Sequence, residues 1–146
     1  MGEAGVGRVH AIVDSHMNIP AELGLAGADA WLKGFRDRYP EIDYTWVNFR
    51  TMFEMLQAAV NQTGSTDPLL LALALEGMER KDILGQLNVM RKDDHQLLTP
   101  FYQAVFARGV KYDSERTGFG WKTEATISGA DLAQPTTCKM RRPASS

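Results

Sequence analysis

Residues 47–68 read VNFRTMFEMLQAAVNQTGSTDP, and the fold turns on them. Phe49, Met52, Phe53, Leu56, Ala59 and Val60 recur at three- and four-residue intervals, which places them on one stripe of an α-helix. Asn48 stands where an N-cap is needed, and Gly64 stands where the chain can turn left-handed and stop. A second helix follows the TGSTD link. Asp67 can cap it, Pro68 in its first turn loses no needed hydrogen bond, and Gly77 can end it. Met52, Phe53, Met55 and Leu56 are expected to be packing residues, because helical periodicity accounts for all of them.

Working toward the N-terminus, EIDYTWV at 41–47 alternates enough for a short strand or crossover. Before it, Ala28, Trp31, Leu32, Phe35 and Tyr39 fall at helical intervals, and Pro40 stops the run. VHAIV at 9–13 is a short apolar run rich in β-branched residues. It reads as a buried strand opening into a polar loop that begins at Asp14-Ser15-His16 and continues through Pro20 to Gly27.

Toward the C-terminus, the charged ERKD leads to strand-like runs at 86–90 and 100–107, separated by RKDDHQLLT. Asp93, Asp94 and His95 supply ligand types a metal can use. Consecutive side chains of an extended segment point to opposite faces, however, so a polar turn between strands is the expected reading. Residues 110–117 look like a loop, and 118–127 alternates as a third strand with glycine interruptions. From Ser128 apolar residues thin out into a tail. The order is strand, helix, strand, helix, helix, then two or three strands, an α/β chain with a mixed sheet. One βα unit, a helix pair and a β ribbon do not cover both faces of a sheet, which points to a partner or to further sequence.

A chain of 146 residues is one domain's worth, able to bury about two-thirds of its unfolded surface. A net charge of −2 provides no basic field for nucleic acid or an anionic membrane, so neither is expected as a partner. The single cysteine, Cys138, cannot close an intramolecular disulfide, and its setting among Thr137, Lys139 and Arg141 suits a surface or docking role. The longest apolar run, LLLALAL at 69–75, is too short to span a bilayer, and no secretion signal is visible at the start.

The helix pair VNFRTMFEMLQAAVNQTGSTDP, the helix end ALEGM, the ribbon GQLNVMRKDDHQLLTPFY and the terminal PTTCKMRRP together resemble, in this order, a known family. It is the C-terminal part of branched-chain amino acid and amide binding proteins of ABC importers, the type I periplasmic binding proteins. The resemblance implies two α/β lobes facing a cleft, a hinge that closes on the solute, an ABC permease as partner and a periplasmic setting. As written, without a signal, the chain would stay in the cytoplasm. This sequence looks like less than half of such a protein. Residues 1–128 would be a partial solute-binding domain containing pieces of both lobes, with 9–39 in one, the helices of 48–78 in the other and a crossover near 40–48. Residues 129–146 would be a C-terminal tail.

Candidate site residues follow from two arguments. Ligands of α/β sheets bind at loops beyond the carboxyl ends of strands, which singles out Asp14, Ser15 and His16 as an acceptor, a hydroxyl and an imidazole for an amino or amide group, or else as a solvated loop. The resemblance implies one cleft wall at Trp46, Asn48, Phe49 and Arg50. Trp46 or Phe49 would pack on the solute and Asn48 or Arg50 would bond it, unless Asn48 caps, Phe49 is core and Arg50 is exposed. No phosphate loop, nucleophile elbow or paired metal-ligand motif is present, and three scattered histidines are weak material for acid–base chemistry, so no enzyme, cofactor or metal is expected. The alternative to a solute-binding component is a small α/β module completed by a partner chain or by homo-oligomerisation.

Overall fold

The computed structural model describes residues 1–42, 47–113, 115–141 and 143. After a short 3-10 turn at Glu3–Gly5 come β1 (His10–Val13), α1 (Ile19–Glu22), α2 (Ala26–Arg38), α3 (Val47–Thr63) and α4 (Pro68–Leu75). The second half holds β2 (Glu79–Lys81), β3 (Leu87–Met90), β4 (Leu97–Leu98), β5 (Phe101–Arg108), β6 (Phe119–Ile127) and the single turn α5 (Gly129–Leu132).

The α/β chain with flanking helices and a C-terminal ribbon is present, its strands divided between two sheets. One is β1-β5-β6 and the other β2-β3-β4, and every pairing among the described residues is antiparallel. In the first, β5 is central: His10 faces Val105 and Val13 faces Tyr102 on one side, while Phe101 faces Ile127 and Arg108 faces Phe119 on the other. A register shift at Gln103/Ala104 lets the longer β6 follow the twist. In the second, Glu79 faces Val89, and Val89 faces Leu98. An antiparallel pair needs only a tight turn, so the short 82–86 and 91–96 connections dictate the second sheet.

The core lies between β5 and the first helices. Ile19, Ala28, Val47, Leu84 and Tyr102 form its centre, with Val13, Leu25 and Ile83 packed against them. Ile19 comes from α1, one turn inside what the sequence presents as an uninterrupted loop. Pro20 fits the second position of that turn, where its missing N–H costs nothing. Burying a side chain of that size contributes about 1.5–3 kcal/mol, enough to fix a turn with little helix propensity of its own.

Several local expectations change. Asn48 does not cap α3; it sits inside the first described turn, and its side chain is used elsewhere. The stripe through Phe49, Met52, Phe53 and Leu56 faces outward, with Phe53 67% exposed, while Val47, Thr51, Met55 and Ala59 form the buried stripe. Periodicity says which residues share a face, not which neighbour covers it. The charged ERK segment is the edge strand β2, with all three residues exposed, so no apolar alternation was available to mark it. The stretch expected to be tail starts with α5, whose Ser128 hydroxyl accepts the Asp131 amide.

The second helix of the pair is built as its sequence requires. Asp67 accepts the Leu69 and Leu70 amides, Pro68 opens the helix, and Gly77 at φ 74° follows it. No residue of α4 is buried although all eight are apolar. Residues 43–46 of the expected crossover, Trp46 included, lie outside the described residues.

Candidate functional site

At the carboxyl end of β1 the chain leaves the sheet through Asp14–Asn18, and four of these five residues are buried. Antiparallel pairing aims β1 toward the start of β5, away from the 109–118 connection, and the exit loop turns back along the sheet so that His16 reaches Thr123 of β6 and Asn18 reaches Tyr112 and Trp121. Asn18 fastens that junction. Its amide donates to the Tyr112 and Trp121 carbonyls at 3.0 and 3.2 Å, and its Oδ1 accepts the Tyr112 amide at 2.7 Å. A buried side chain satisfied by three backbone groups holds two segments that share no secondary structure.

His16 is positioned from both ring nitrogens. Its Nδ1 accepts the Asn18 amide at 3.3 Å, which assigns the proton to Nε2, where Thr123 Oγ1 lies at 2.9 Å. The imidazole therefore serves as a bridge between β1's exit and β6. Asp14 Oδ2 accepts from Asn48 Nδ2 at 3.1 Å, and Asn48 Oδ1 accepts the Thr99 hydroxyl at 2.9 Å. Ser15 is 4% exposed, and its hydroxyl is without a hydrogen-bond partner.

A cavity of about 470 Å³ is walled by Val13 to Asn18 on one side, by residues from Tyr112 to Trp121 on the other, and by Met1, Gly2 and Phe106. Its volume falls in the range of small-molecule sites. Asp14, Ser15 and His16 all line it, and Asn48 reaches Asp14 from α3.

Phe49 and Arg50 are not part of this cavity. Phe49 belongs to the exposed stripe. Arg50 donates to Glu54 at 2.8 Å and lies over the Trp31 ring, 4.9 Å from its centroid. Arg80 from β2 reaches the other oxygen of Glu54 at 3.2 Å. Partial burial pushes the Glu54 carboxyl up, but hydrogen bonds and charge from the two guanidinium groups outweigh it and hold the group below its ordinary value. This trio pins α3 to the second sheet.

Asp93, Asp94 and His95 form the polar turn expected of them. Asp94 Oδ1 accepts the Gln96 amide at 3.0 Å, His95 takes φ 56°, and its Nε2 meets Glu76 Oε1 at 2.9 Å. The Gln96 amide is the main reason the Asp94 carboxyl sits below its usual value. Among the described residues no three His, Cys, Asp or Glu side chains group to hold a metal. Cys138 is exposed.

Sequence reasoning missed Asn18, Thr99, Tyr112 and Thr123. Each acts across a long sequence separation, and a lone polar residue beside a proline or in a strand carries no periodic signal.

No family model matches the sequence, and no curated protein matches it. Solved structures do. The leucine-, isoleucine-, valine-, threonine- and alanine-binding protein of Brucella ovis, in its closed conformation, aligns with a TM-score of 0.72 at 21% identity over 97% of this chain and 37% of its own. An ABC-transporter solute-binding protein of Rhodopseudomonas palustris BisB5, in complex with 3,4-dihydroxybenzoic acid, gives 0.64 at 16% over 88% and 33%. An ABC-type branched-chain amino acid transporter protein of Rhodopseudomonas palustris CGA009 gives 0.67 at 21% over 90% and 34%. The chain has a partial type I periplasmic-binding-protein fold and spans about a third of the length of the proteins it resembles. Among the described residues no helix is long and apolar enough to cross a membrane.

Proposed function

We propose that this chain is a solute-binding component of an ABC importer, or the C-terminal portion of one, and that it takes a small polar solute such as an amino acid or amide. The carrying observation is the cavity at the carboxyl end of β1, walled by Asp14, Ser15 and His16, in a chain with part of the fold of ABC solute-binding proteins. Residues 1–128 form the partial binding domain in this reading, and 129–146 the terminal segment. Asp14 and Ser15 meet the solute, His16 fixes the wall, and Asn48 orients Asp14. No bond is broken: contacts made on both sides of a cleft favour its closed state and shift the population toward it. A permease partner and a periplasmic setting accompany this role. Calorimetry of the chain against a panel of amino acids and amides tests it. Binding heat from at least one is expected, and none from any would overturn the reading.

A second reading is favoured by one specific observation. α4 is apolar throughout, yet none of its residues is fully buried and Leu69, Leu70 and Leu73 are exposed, and it packs against α3. A helix apolar all round is ordinarily a buried one. The stripe Phe49, Met52, Phe53 and Leu56 with Leu69, Leu70 and Leu73 contains no charge, so in a two-fold contact no like charges meet. Here the chain is an α/β module completed by a second copy. Sedimentation at low concentration decides: a monomer throughout would remove this reading.

A further inference from the structure

Two surfaces of the chain are left open. α3 and α4 pack on one another, and each keeps large apolar side chains exposed: Met52, Phe53 and Leu56 on the first, Leu69, Leu70 and Leu73 on the second. Single exposed apolar residues are ordinary, but six on one packed pair of helices mark an interaction surface. The other opening is β1. It lies at an edge of the β1-β5-β6 sheet, paired only with β5 among the described residues, and its Ile12 is 59% exposed.

The remaining strand edges are guarded. β2 is Glu-Arg-Lys throughout, β6 carries Lys122 and Glu124, and β4 is two residues long. β1 is His-Ala-Ile-Val, with no Lys, carboxylate or Pro to stop its edge from pairing. An edge of that kind is a template for a further strand.

The size of the fold indicates what covers both openings. The three solved structures match 97%, 88% and 90% of this chain, yet roughly two-thirds of each has no counterpart here. The fold therefore includes a large body of polypeptide that packs outside these residues. A two-fold contact between copies uses one self-complementary patch. Two separate openings, one a strand edge and one a helix face, call instead for a body that reaches both.

We infer that the apolar face of α3 and α4 and the open edge of β1 are the seams at which this chain receives the part of the type I fold it does not contain. A strand is laid along β1, and apolar side chains are laid on the helix pair. This rests on the reading of the chain as the C-terminal portion of a solute-binding protein and names the surfaces through which that portion is completed.

The probe is the part of the Brucella ovis binding protein that has no counterpart here. It is supplied in excess as a separate polypeptide and also fused ahead of this chain, since either form alone can fail to fold. The reporters are the thiol of Phe53→Cys in a Cys138→Ser background, labelled with a maleimide, and hydrogen exchange at the β1 amides. With the probe present, labelling and β1 exchange are each expected to slow by about tenfold or more, with the β5–β6 amides, paired in both states, as the reference. Ile12→Lys, at an exposed site, should leave the urea midpoint of the chain alone unchanged and abolish the protection of β1. Labelling and exchange that stay fast in both forms overturn the inference. So does a protected Phe53→Cys thiol in the chain alone wherever sedimentation shows a dimer, which assigns the face to a second copy. Heat in the calorimetric panel without protection overturns this inference alone, whereas protection without heat overturns the solute-binding reading alone.

Discussion

Asn48 joins Asp14 to Thr99: its amide donates to the Asp14 carboxylate at 3.1 Å while its carbonyl accepts the Thr99 hydroxyl at 2.9 Å. One side chain on α3 thus ties the exit of β1 to the link between β4 and β5. Asn48→Ala is expected to cost about 1–2 kcal/mol, read as a lowered urea midpoint. Asn48→Asp should cost more at neutral pH, since it places a second carboxylate against Asp14. Like charges raise the folded-state carboxyl pKa above its unfolded value, so the extra penalty is present above that raised range and disappears as pH falls through it. Urea titrations at pH 7 and pH 4 check the sign.

Asn18→Ala removes three hydrogen bonds at once and leaves the Tyr112 amide and two carbonyls unsatisfied. A loss of about 2–3 kcal/mol is expected. Hydrogen exchange at the Tyr112 amide should accelerate more than exchange in β3, which Asn18 does not touch.

Glu54 predicts an acid limb in stability. Its folded pKa lies below the ordinary carboxyl value, despite burial, because Arg50 and Arg80 bond the charged form. A depressed carboxyl contributes stability that is complete above its unfolded pKa and lost as pH falls through the folded one. Glu54→Gln should lower stability by about 0.5–1 kcal/mol at pH 7 and flatten the dependence below pH 4.5. An unchanged slope in that window would rule the trio out as its source.

Phe53→Glu tests the outward face of α3. With the side chain 67% exposed, monomer stability should change by less than about 0.5 kcal/mol. If a second copy covers this face, sedimentation of the variant should show the monomer where the parent chain associates.

The features legible in the sequence were local ones. Asp67 and Pro68 announced the start of α4, the spacing of residues in 28–39 announced α2, and the crowding of Asp93, Asp94 and His95 announced a turn, because each depends on neighbours a few residues away. The direction of the α3 stripe was not legible. Met55 is buried and Met52 is not, though both fit one periodic pattern, and only the tertiary packing of α3 separates them. The site was half readable for the same reason. Position after a strand placed Asp14, Ser15 and His16 at the cavity, but their partners Asn48 and Thr123 are fixed by tertiary geometry, and Phe49 and Arg50 follow their helix away from it.

β1 finds its mate far along the polypeptide, His10 against Val105, whereas β2, β3 and β4 succeed one another through brief turns. Closing a long loop costs more chain entropy than closing a short one, and non-local pairing slows folding. The small ribbon is therefore an early event and the β1–β5 pairing a late one. On a ribosome, the walls of the cavity would meet only after Trp121 had emerged.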